Sequence, residues 1–480
     1  MKPDDRIAEL ETLVGQQKAL VAQLREQVSV LLAENQALRE RVAKDSHNSH
    51  KPPTSDGLQR RLRSQRRKSG RPSGGQLGHP GQTLPLVATP DEVVTQVPTR
   101  CQHCHAALQG VAPHAVERRQ VLELPPVTRL HVQEQRAAHV RCTACGGLTV
   151  AAFPVDVPSR MQYGPRLRAL VVYLVEHQLV PYARVRELLA DLFGQALSVG
   201  TLVTMVQQCA QALAPVEAAL KAEAQEAPVL HNDETGVRVA GQLQWVHVSS
   251  TATLTHFGVH AKRGSAATDA IGILPGFQGV SVHDGWKPYQ TYTACRHALC
   301  NVHHLRELTF VEEELQQPWA GRLKALLREM KAAVAAAQAA GGTRLPPSHR
   351  HALRTRYEAL LLEGLAANPP PPPLPPGVRQ RGRRKQSPAR NLLERLWLGQ
   401  AEVLAFLDDF TIPFDNNQAE QDLRMYKVQQ KISGCFRAEA GAHAYCRIRG
   451  YLSTLRKRRH ALLHALHAVF TGHPFLPALG

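Results

Sequence analysis

The sequence predicts a multidomain protein in which a long N-terminal helix precedes a cysteine-rich module, a helical segment and an α/β domain. Three observations lead to this prediction: a heptad repeat over residues 7–42, two C-x-x-C pairs, and short β-branched runs separated by turns after residue 225. With 480 residues, of which 43% are hydrophobic, the chain is long enough for two or more domains with apolar cores.

The charge balance favours a polyanionic partner. The formal net charge is +18, and the bases cluster in runs, as they do in proteins that bind nucleic acid. No apolar run approaches the length of a transmembrane helix, and the start, MKPDDRIAEL, does not have the pattern of a signal peptide. We therefore expect a cytoplasmic protein without a membrane partner, whose nine cysteines are thiols or metal ligands rather than disulfides.

Residues 1–45 are predicted to form a coiled-coil dimerisation segment. The a positions of the heptad are Ile7, Val14, Val21, Val28, Asn35 and Val42, and the d positions are Leu10, Gln17, Leu24, Leu31 and Leu38. β-Branched residues at a with leucine at d favour two parallel strands, and a single asparagine at a commonly fixes the register. The pattern predicts a homodimer; the alternative is one amphipathic helix packed on its own protein.

Residues 46–95 are predicted to be a basic flexible linker that serves as a DNA-binding arm. Residues 58–71 hold seven bases and no acid, which suits a phosphate backbone. The predicted contact residues are Arg60, Arg61, Arg63, Arg66, Arg67 and Lys68. The alternative is a charged linker that has no partner.

Residues 96–155 are predicted to form a zinc-binding domain. Two C-x-x-C knuckles, Cys101 with Cys104 and Cys142 with Cys145, supply the four thiolates that a structural Zn²⁺ requires. His103 or His105 is an alternative ligand in place of one thiolate. A redox role is the other alternative, but nothing around the two pairs resembles a βαβ unit.

Residues 160–220 are predicted to be a helical domain with the outline of a helix-turn-helix. Pro181 suits a helix start, Gly194 a helix end and Ser198 an N-cap. Two helices joined by a short glycine-containing turn are typical of DNA-binding domains and are also frequent in proteins that do not bind DNA. Both interpretations stay open.

Residues 225–455 are predicted to form a catalytic α/β domain. Three β-branched runs, VLHNDETGVRV, QLQWVHVSS and LTHFGVH, precede a helix near Gly264 and a fourth strand within GVSVHDGWKPY. Three strands, a helix and a strand are the opening of a ribonuclease H-like sheet. The helices of residues 301–365 and the stiff block NPPPPPLPPG predict an insertion at about 305–395, and residues 456–480 are predicted to be a C-terminal tail.

Three acidic residues of this domain are candidate catalytic metal ligands. Asp233 is expected at the end of the first strand and Asp284 just after the fourth, so adjacent strands can bring the two carboxylates together. Carboxylates suit Mg²⁺, and two Mg²⁺ ions about 3.5–4 Å apart support phosphodiester chemistry. Glu420, on a predicted helix within IPFDNNQAEQDLRMYKVQQKISG, is the third candidate.

Three bases follow Glu420 at helical spacing. Arg424, Lys427 and Lys431 lie four, seven and eleven residues further on, which places them on the same helix face as predicted phosphate contacts. The alternative is an ordinary solvated helix face, whose ion pairs contribute about 0.2–0.5 kcal/mol each. Asn416 and Asn417 are predicted to be helix caps.

In combination these motifs resemble the insertion sequence 66 family of transposases, a branch of the DDE transposases. The matching elements are the N-terminal zipper, KPPTSDG, GGQLGHPGQ, the C-x-x-C pairs, HNDETG with Asp233, VHDGWKPY with Asp284 and DNNQAEQDLR with Glu420. The resemblance implies a bacterial, nucleoid-associated protein with a ribonuclease H-like core, in which these two aspartates and the glutamate bind Mg²⁺. Two features depart from the family: Gln421, where arginine is usual, and the proline-rich insert.

The segment LCNVHHLRE resembles the C-x-x-H-x-x-R element that such enzymes carry after the second aspartate, with Cys300, His303 and Arg306 as supporting residues. A further metal site at Cys300 and His303 is one interpretation. The favoured one is that they pack against and orient the neighbouring acid, because a cysteine and a histidine alone give too few ligands.

These expectations favour a DNA transposase that cleaves double-stranded DNA at element ends and joins the 3′ ends to target DNA. We expect two Mg²⁺ ions per active site, one structural Zn²⁺, a homodimer, and accessory transposition proteins as candidate partners. One alternative is a ribonuclease H-like nuclease or resolvase without strand joining. The other is a non-enzymatic, zinc-containing dimeric regulator, which would leave the acidic set unexplained.

Overall fold

The computed structural model describes residues 3–49, 85–122, 129–371, 384 and 386–476. The predicted arm residues Arg60, Arg61, Arg63, Arg66, Arg67 and Lys68 lie outside these ranges. Within the ranges, every helix is too short or too polar to span a bilayer.

The N-terminal segment is one long helix, α1 (Pro3–Ala43), which confirms the predicted helix. Apolar residues of the predicted seam are exposed within the single chain; Val28 is 52% and Leu31 is 62% exposed. The helix ends in a turn where Asn48 Nδ2 donates to the carbonyl of Ala43 (3.0 Å), and Ala43 packs against the core of the later helices. An exposed seam of period seven suits a second helix, and dimerisation stays a prediction.

The cysteine-rich module contains a short hairpin in which β1 (His139–Arg141) pairs antiparallel with β2 (Leu148–Val150). The second knuckle forms the turn of this hairpin, where the amide of Cys142 donates to the carbonyl of Gly147 (2.8 Å). The first knuckle forms a similar turn, in which the amide of Cys101 donates to the carbonyl of Ala106 (2.9 Å).

The helical segment begins with α2 (Pro165–Val172), which continues into a π-helical turn (Tyr173–His177). It is followed by α3 (Tyr182–Phe193), α4 (Val199–Ala212) and α5 (Ala214–Gln225). The predicted boundary residues are confirmed. Pro181 precedes α3, Gly194 ends it at a φ of +68°, and Ser198 Oγ accepts a hydrogen bond from the amide of Thr201 (3.1 Å).

The central sheet has five strands in the order β5-β4-β3-β6-β7. Its elements are β3 (Val229–Val239), β4 (Gln242–Ser250), β5 (Thr255–His260), α6 (Ser265–Ile271), β6 (Val280–His283) and β7 (Arg296–Leu299). The first three strands are antiparallel, whereas β6 and β7 continue the sheet in parallel. The predicted order of three strands, helix and strand is confirmed. The sequence did not indicate β7. This mixed sheet with its helices is consistent with a ribonuclease H-like core.

After β7 come α7 (Asn301–Glu313), α8 (Pro318–Ala339), α9 (Pro347–Ala367), α10 (Pro388–Leu398), α11 (Gln400–Val403) and α12 (Ala405–Asp408). Trp319 and Tyr357 are buried at the centre of this group. The same apolar cluster includes Val282 of β6 and Ala298 of β7, so these helices share a core with the parallel edge of the sheet.

The last elements are α13 (Asn417–Ser433), α14 (Glu439–Lys457) and α15 (Leu462–Phe470). Buried Leu423 and Tyr426 pack α13 against the antiparallel strands of the sheet, and Ile448 packs α14 in a cluster with α4. The segment predicted as a tail contains α15, whose Leu466 is fully buried in the latter cluster. Its apolar face gives α15 a packing role in the fold.

Candidate active site

Asp233 and Asp284 lie on neighbouring strand segments, close to the point where β6 ends. The parallel register pairs His231 with Val282, which stand two residues before Asp233 and Asp284 respectively, and the charge of Asp284 acts on Asp233. Asp284 directly follows β6, as predicted. Asp233, however, is not at the end of its strand, because β3 continues as a hairpin with β4 as far as Val239.

Backbone amides orient both aspartates. The amide of Glu234 donates to Asp233 Oδ1 (2.8 Å), and the amide of Trp286 donates to Asp284 Oδ1 (2.9 Å). Gly285, between Asp284 and Trp286, has a φ of +89°, a conformation that favours glycine. Each carboxylate therefore keeps its second oxygen for another partner.

Glu420 lies in the first turn of α13. Its side chain is 31% exposed, yet Oε1 is buried and makes no hydrogen bond to the described residues. A buried carboxylate oxygen without a hydrogen bond is costly unless a cation or a donor reaches it. This oxygen is therefore available to a ligand.

Asn416 fastens the start of α13 to the sheet. Its Nδ2 donates to the carbonyl of Asn232 (2.9 Å), Oδ1 accepts from His231 Nδ1 (2.8 Å), and its amide donates to Cys300 Sγ (3.1 Å). The prediction of an ordinary cap was wrong for this side chain, because it makes no capping bond although it occupies the N-cap position. Asn417 is the first residue of the helix and also does not act as a side-chain cap.

Burial and neighbouring acids raise the proton affinity of Asp233 and Glu420. Burial raises the pKa of Asp233 well above its usual range, and the charges of Glu234, Asp284 and Glu420 raise it further. Burial also raises the pKa of Glu420, which the Arg306 and Arg424 charges oppose and Asp284 reinforces. Carboxylates that repel in this way are stabilised in their charged form by a cation.

The donor set fits a hard divalent cation such as Mg²⁺. It consists of carboxylate oxygens, the ligands that Mg²⁺ prefers, and it includes the buried Oε1 of Glu420 without a hydrogen bond. Asp233, Asp284 and Glu420 are the residues that would hold the metal.

A fourth carboxylate, which the sequence reasoning missed, lies beside this set. Glu234 is 1% exposed, and its Oε1 accepts from Arg263 Nε (2.9 Å) and Nη2 (2.6 Å). Tyr289 Oη donates to the other oxygen, Oε2 (2.5 Å). The acid directly after Asp233 was a signal in the sequence, but nothing local pairs it with a base 29 residues away.

Arg263 also joins the two aspartate-bearing segments. Its guanidinium lies over the ring of Trp286 (4.3 Å to the centroid) and over that of Trp245 (4.7 Å), two cation–π contacts. Through Glu234 it contacts the strand of Asp233, and through Trp286 it contacts the turn of Asp284. Arg263 thus braces the spacing of the two aspartates.

The predicted DNA-contacting bases of α13 differ in their surroundings. All three residues are exposed, but their contacts differ. Lys427 Nζ donates to the carbonyl of Gly236 in β3 (2.8 Å), a contact that holds α13 against the sheet. Of the three, Arg424 has a charge that reaches Glu420.

The predicted supporting residues lie beside Glu420. Cys300 is buried at the N-cap of α7, and His303 Nε2 is 3.7 Å from Glu420 Oε1. Arg306, one turn further along α7, opposes the rise in the pKa of Glu420. The element after β7 therefore meets the helix of the third acid.

The structure does not bring the two cysteine knuckles together. Among the described side chains, the group of three or more ligand atoms within 4.8 Å of one another is formed by Cys300, His303 and Glu420, not by the four knuckle thiols. Backbone hydrogen bonds within each knuckle lower the pKa of Cys101 and Cys142, which favours the thiolate form that binds metal. Zinc binding stays a prediction.

Two family models match the chain. The model described as "Transposase IS66 family" matches residues 160–444, more than half of the chain. A model described as "Family of unknown function (DUF6444)" matches residues 2–85, the segment of α1 and the basic run. No curated protein matches the chain.

Proposed function

Because the chain belongs to the IS66 family of transposases, which are enzymes of DNA transposition, we propose that it cleaves DNA at the ends of an insertion sequence and joins the 3′ ends to target DNA. The observation that carries this proposal is the meeting of three carboxylates. Asp233 and Asp284 follow one parallel register, and Asn416 fastens the helix of Glu420 beside them.

The proposed metal ligands are Asp233, Asp284 and Glu420, and the proposed occupancy is two Mg²⁺ ions. DDE transposases use divalent metals, which activate the attacking oxygen and stabilise the leaving oxygen in phosphodiester chemistry. Burial raises the pKa of both Asp233 and Glu420, so a bound cation would be needed to favour their charged forms.

Other side chains of the domain position this set. Arg263 and Tyr289 donate hydrogen bonds to the two oxygens of Glu234, so this acid is not proposed as a metal ligand. Arg424, exposed one turn after Glu420, supplies a cation for the DNA backbone. In the proposed reaction, water attacks first, and the freed 3′ hydroxyl attacks target DNA next.

The remaining modules are proposed to hold DNA and a second copy. We propose a coiled-coil dimer through residues 1–45, a DNA-binding arm within 46–95, a zinc domain over 96–155, and a helix-turn-helix-like domain over 160–220. The catalytic domain would span 225–455 with its insertion at about 305–395. Support comes from the exposed seam of α1, the thiolate-favouring knuckle turns and the α3–α4 turn at Gly194.

Metal analysis of the purified protein should find one Zn²⁺ per chain.

Family membership excludes one of the two alternative functions that the sequence left open, but not the other. A non-enzymatic regulator is excluded by membership of an enzyme family. A nuclease or resolvase without strand joining uses the same carboxylates and is separated from a transposase by its products.

The experiment uses DNA carrying the sequences that flank this coding region, with Mg²⁺. The transposase should cleave these ends and should join a pre-cleaved end to a second duplex, whereas a nuclease would cleave and never join. Glu420→Gln should abolish both reactions and leave DNA binding almost intact. Glu439→Gln is the matched control. Glu439 lies on α14, not on the helix of Glu420, and accepts a hydrogen bond from Gln244 Nε2 (3.1 Å). Normal cleavage by the Glu420→Gln protein would refute the assignment.

A further inference from the structure

A second set of potential metal ligands overlaps the catalytic acids. One ligand atom each from Cys300, His303 and Glu420 lies within 4.8 Å of the other two. In the sequence, the cysteine and histidine form a pair with too few ligands for a metal. The tertiary structure supplies the third ligand from a helix more than a hundred residues further along the chain.

The fold holds this set through two helix starts that meet. Cys300 is the N-cap of α7, His303 lies in its first turn, and Glu420 lies in the first turn of α13. The amide of Asn416 donates to Cys300 Sγ (3.1 Å), so the beginning of α13 is fastened directly to one of the ligands. This bond holds the start of α13 next to the start of α7.

The chemistry of the set differs from that of the three carboxylates. Thiolate and imidazole suit Zn²⁺ and related transition metals, whereas Mg²⁺ prefers oxygen ligands alone. In tetrahedral zinc sites the ligand atoms lie about 3.3–3.8 Å apart, given metal–ligand bonds of about 2.0–2.3 Å. Side-chain rotations that shorten the distances between the three ligand atoms by about 1 Å would reach this geometry.

Glu420 has the capacity for such a bond. Its Oε1 lies 3.7 Å from His303 Nε2 and makes no hydrogen bond to the described residues. Cys300 is buried, so binding would release its thiol proton and place the thiolate on the metal. Three protein ligands leave one coordination position open.

We propose that Cys300, His303 and Glu420 form a transition-metal site for Zn²⁺, and that its occupation withdraws Glu420 from Asp233 and Asp284. The regulatory half of this proposal rests on the proposed function, because it takes Glu420 as a ligand of the catalytic metal. Excess Zn²⁺ would then inhibit DNA cleavage in the presence of Mg²⁺.

Cobalt titration of the full-length protein tests the site itself, since Co²⁺ bound to thiolate has a charge-transfer absorption band. The wild-type protein should bind one more Co²⁺ per chain than Cys300→Ser, and this extra ion should give the charge-transfer band. His303→Gln should bind that ion at least about tenfold more weakly. Cys295→Ser is the matched control, because Cys295 is another buried thiol of this domain and is not in the set. The knuckle cysteines contribute equally to all four proteins.

Equal Co²⁺ stoichiometry and equal spectra for wild type, Cys300→Ser and His303→Gln would overturn the proposal. The His303→Gln variant keeps the test valid if Cys300→Ser folds poorly.

Inhibition of cleavage by Zn²⁺ at fixed Mg²⁺ tests the regulatory half. Measured against each protein's own rate without Zn²⁺, Cys300→Ser should need at least about tenfold more Zn²⁺ than wild type or Cys295→Ser. Equal sensitivity of all three proteins would overturn this half. If the protein binds the extra Co²⁺ but never cleaves DNA, the proposed function is refuted and the metal site is supported. If it cleaves DNA in Mg²⁺ but binds no extra Co²⁺, the metal site is refuted and the proposed function is supported.

Discussion

Asn416 donates a hydrogen bond from its side chain to the backbone carbonyl of Asn232, over 2.9 Å. Asn232 directly precedes Asp233 in β3, and Asn416 directly precedes the helix that carries Glu420. This bond therefore links the strand of Asp233 to the start of the helix that carries Glu420. Asn416 is 1% exposed, so no solvent competes for the bond.

Substitution of Asn416 should loosen this link. Asn416→Ala leaves the Asn232 carbonyl and the His231 ring without their partner, which should cost about 1–3 kcal/mol of unfolding free energy. Cleavage should fall more than DNA binding, because the position of Glu420 is disturbed and the exposed bases are not. Denaturant unfolding and a cleavage assay measure the two effects. Asn417→Ala, at an exposed position, is the control, and equal behaviour of the two variants would contradict the role of Asn416.

Arg263 should stabilise the site through Glu234. Arg263→Gln removes the charge that pairs with a buried carboxylate, which should cost about 3 kcal/mol; the partial exposure of Arg263, 40%, keeps the cost at the lower end of the usual range. Adding Glu234→Gln should restore part of the loss, because the unpaired charge is then gone. A double-mutant cycle by denaturant unfolding measures the coupling, and strictly additive losses would refute it.

Arg424 should contact DNA phosphate. Arg424→Ala should weaken DNA binding and reduce the slope of log K against log salt by about one unit, and added Mg²⁺ should not rescue activity. Lys427→Met should change the slope less, because the ammonium group of Lys427 already donates to the Gly236 carbonyl rather than to DNA phosphate. Binding titrations at several salt concentrations provide the measurement. An unchanged slope for Arg424→Ala would indicate an ordinary solvated helix face.

Glu176 should make stability depend on pH. Burial raises its pKa from 4.5 to about 8, against the opposing charge of Arg449, and its Oε2 makes no hydrogen bond to described residues. The folded protein thus binds a proton that the unfolded chain releases between these two values. Its stabilising contribution is complete below pH 4.5 and declines as the pH rises to about 8, by at most about 1.4 kcal/mol per unit.

The matched comparison for Glu176 is Glu176→Gln, which should remove this decline. Other titratable groups that interact with Glu176 are Tyr182, Cys209, Tyr445 and Cys446, and they remain in both proteins. Urea midpoints measured at intervals from pH 5 to 8 should fall more steeply with pH for wild type than for Glu176→Gln. Glu187→Gln, at an exposed position, should follow wild type. Parallel curves for wild type and Glu176→Gln would contradict the shift.

The seam of α1 should hold a dimer. Deletion of residues 7–42 should give a monomer whose core stays folded, because α1 leaves apolar seam residues exposed in the single chain. Asn35→Val should strengthen association and relax its register, as expected for a polar residue at an a position. Sedimentation measures the mass, and an unchanged dimer after the deletion would rule out this interface.

The sequence by itself determined the features that depend on local pattern. The period of seven predicted α1, the boundary residues Pro181, Gly194 and Ser198 predicted the ends of α3 and the start of α4, and β-branched runs predicted four of the five strands of the central sheet. It also predicted that Asp284 follows a strand beside that of Asp233. These features are readable because backbone geometry and hydrophobic periodicity act over a few neighbouring residues.

Only the tertiary structure decided how distant segments combine. Asn416 looked like a cap and is a link to β3, Lys427 bonds a strand carbonyl, and Arg263 pairs with Glu234 between two indoles. The sequence predicted that Cys300 packs against an acid, but the bond from the Asn416 amide to Cys300, at the start of the helix of Glu420, needed the tertiary structure. Each of these contacts joins residues far apart in sequence, and burial, not periodicity, selects their partners, because a polar group removed from water must find one.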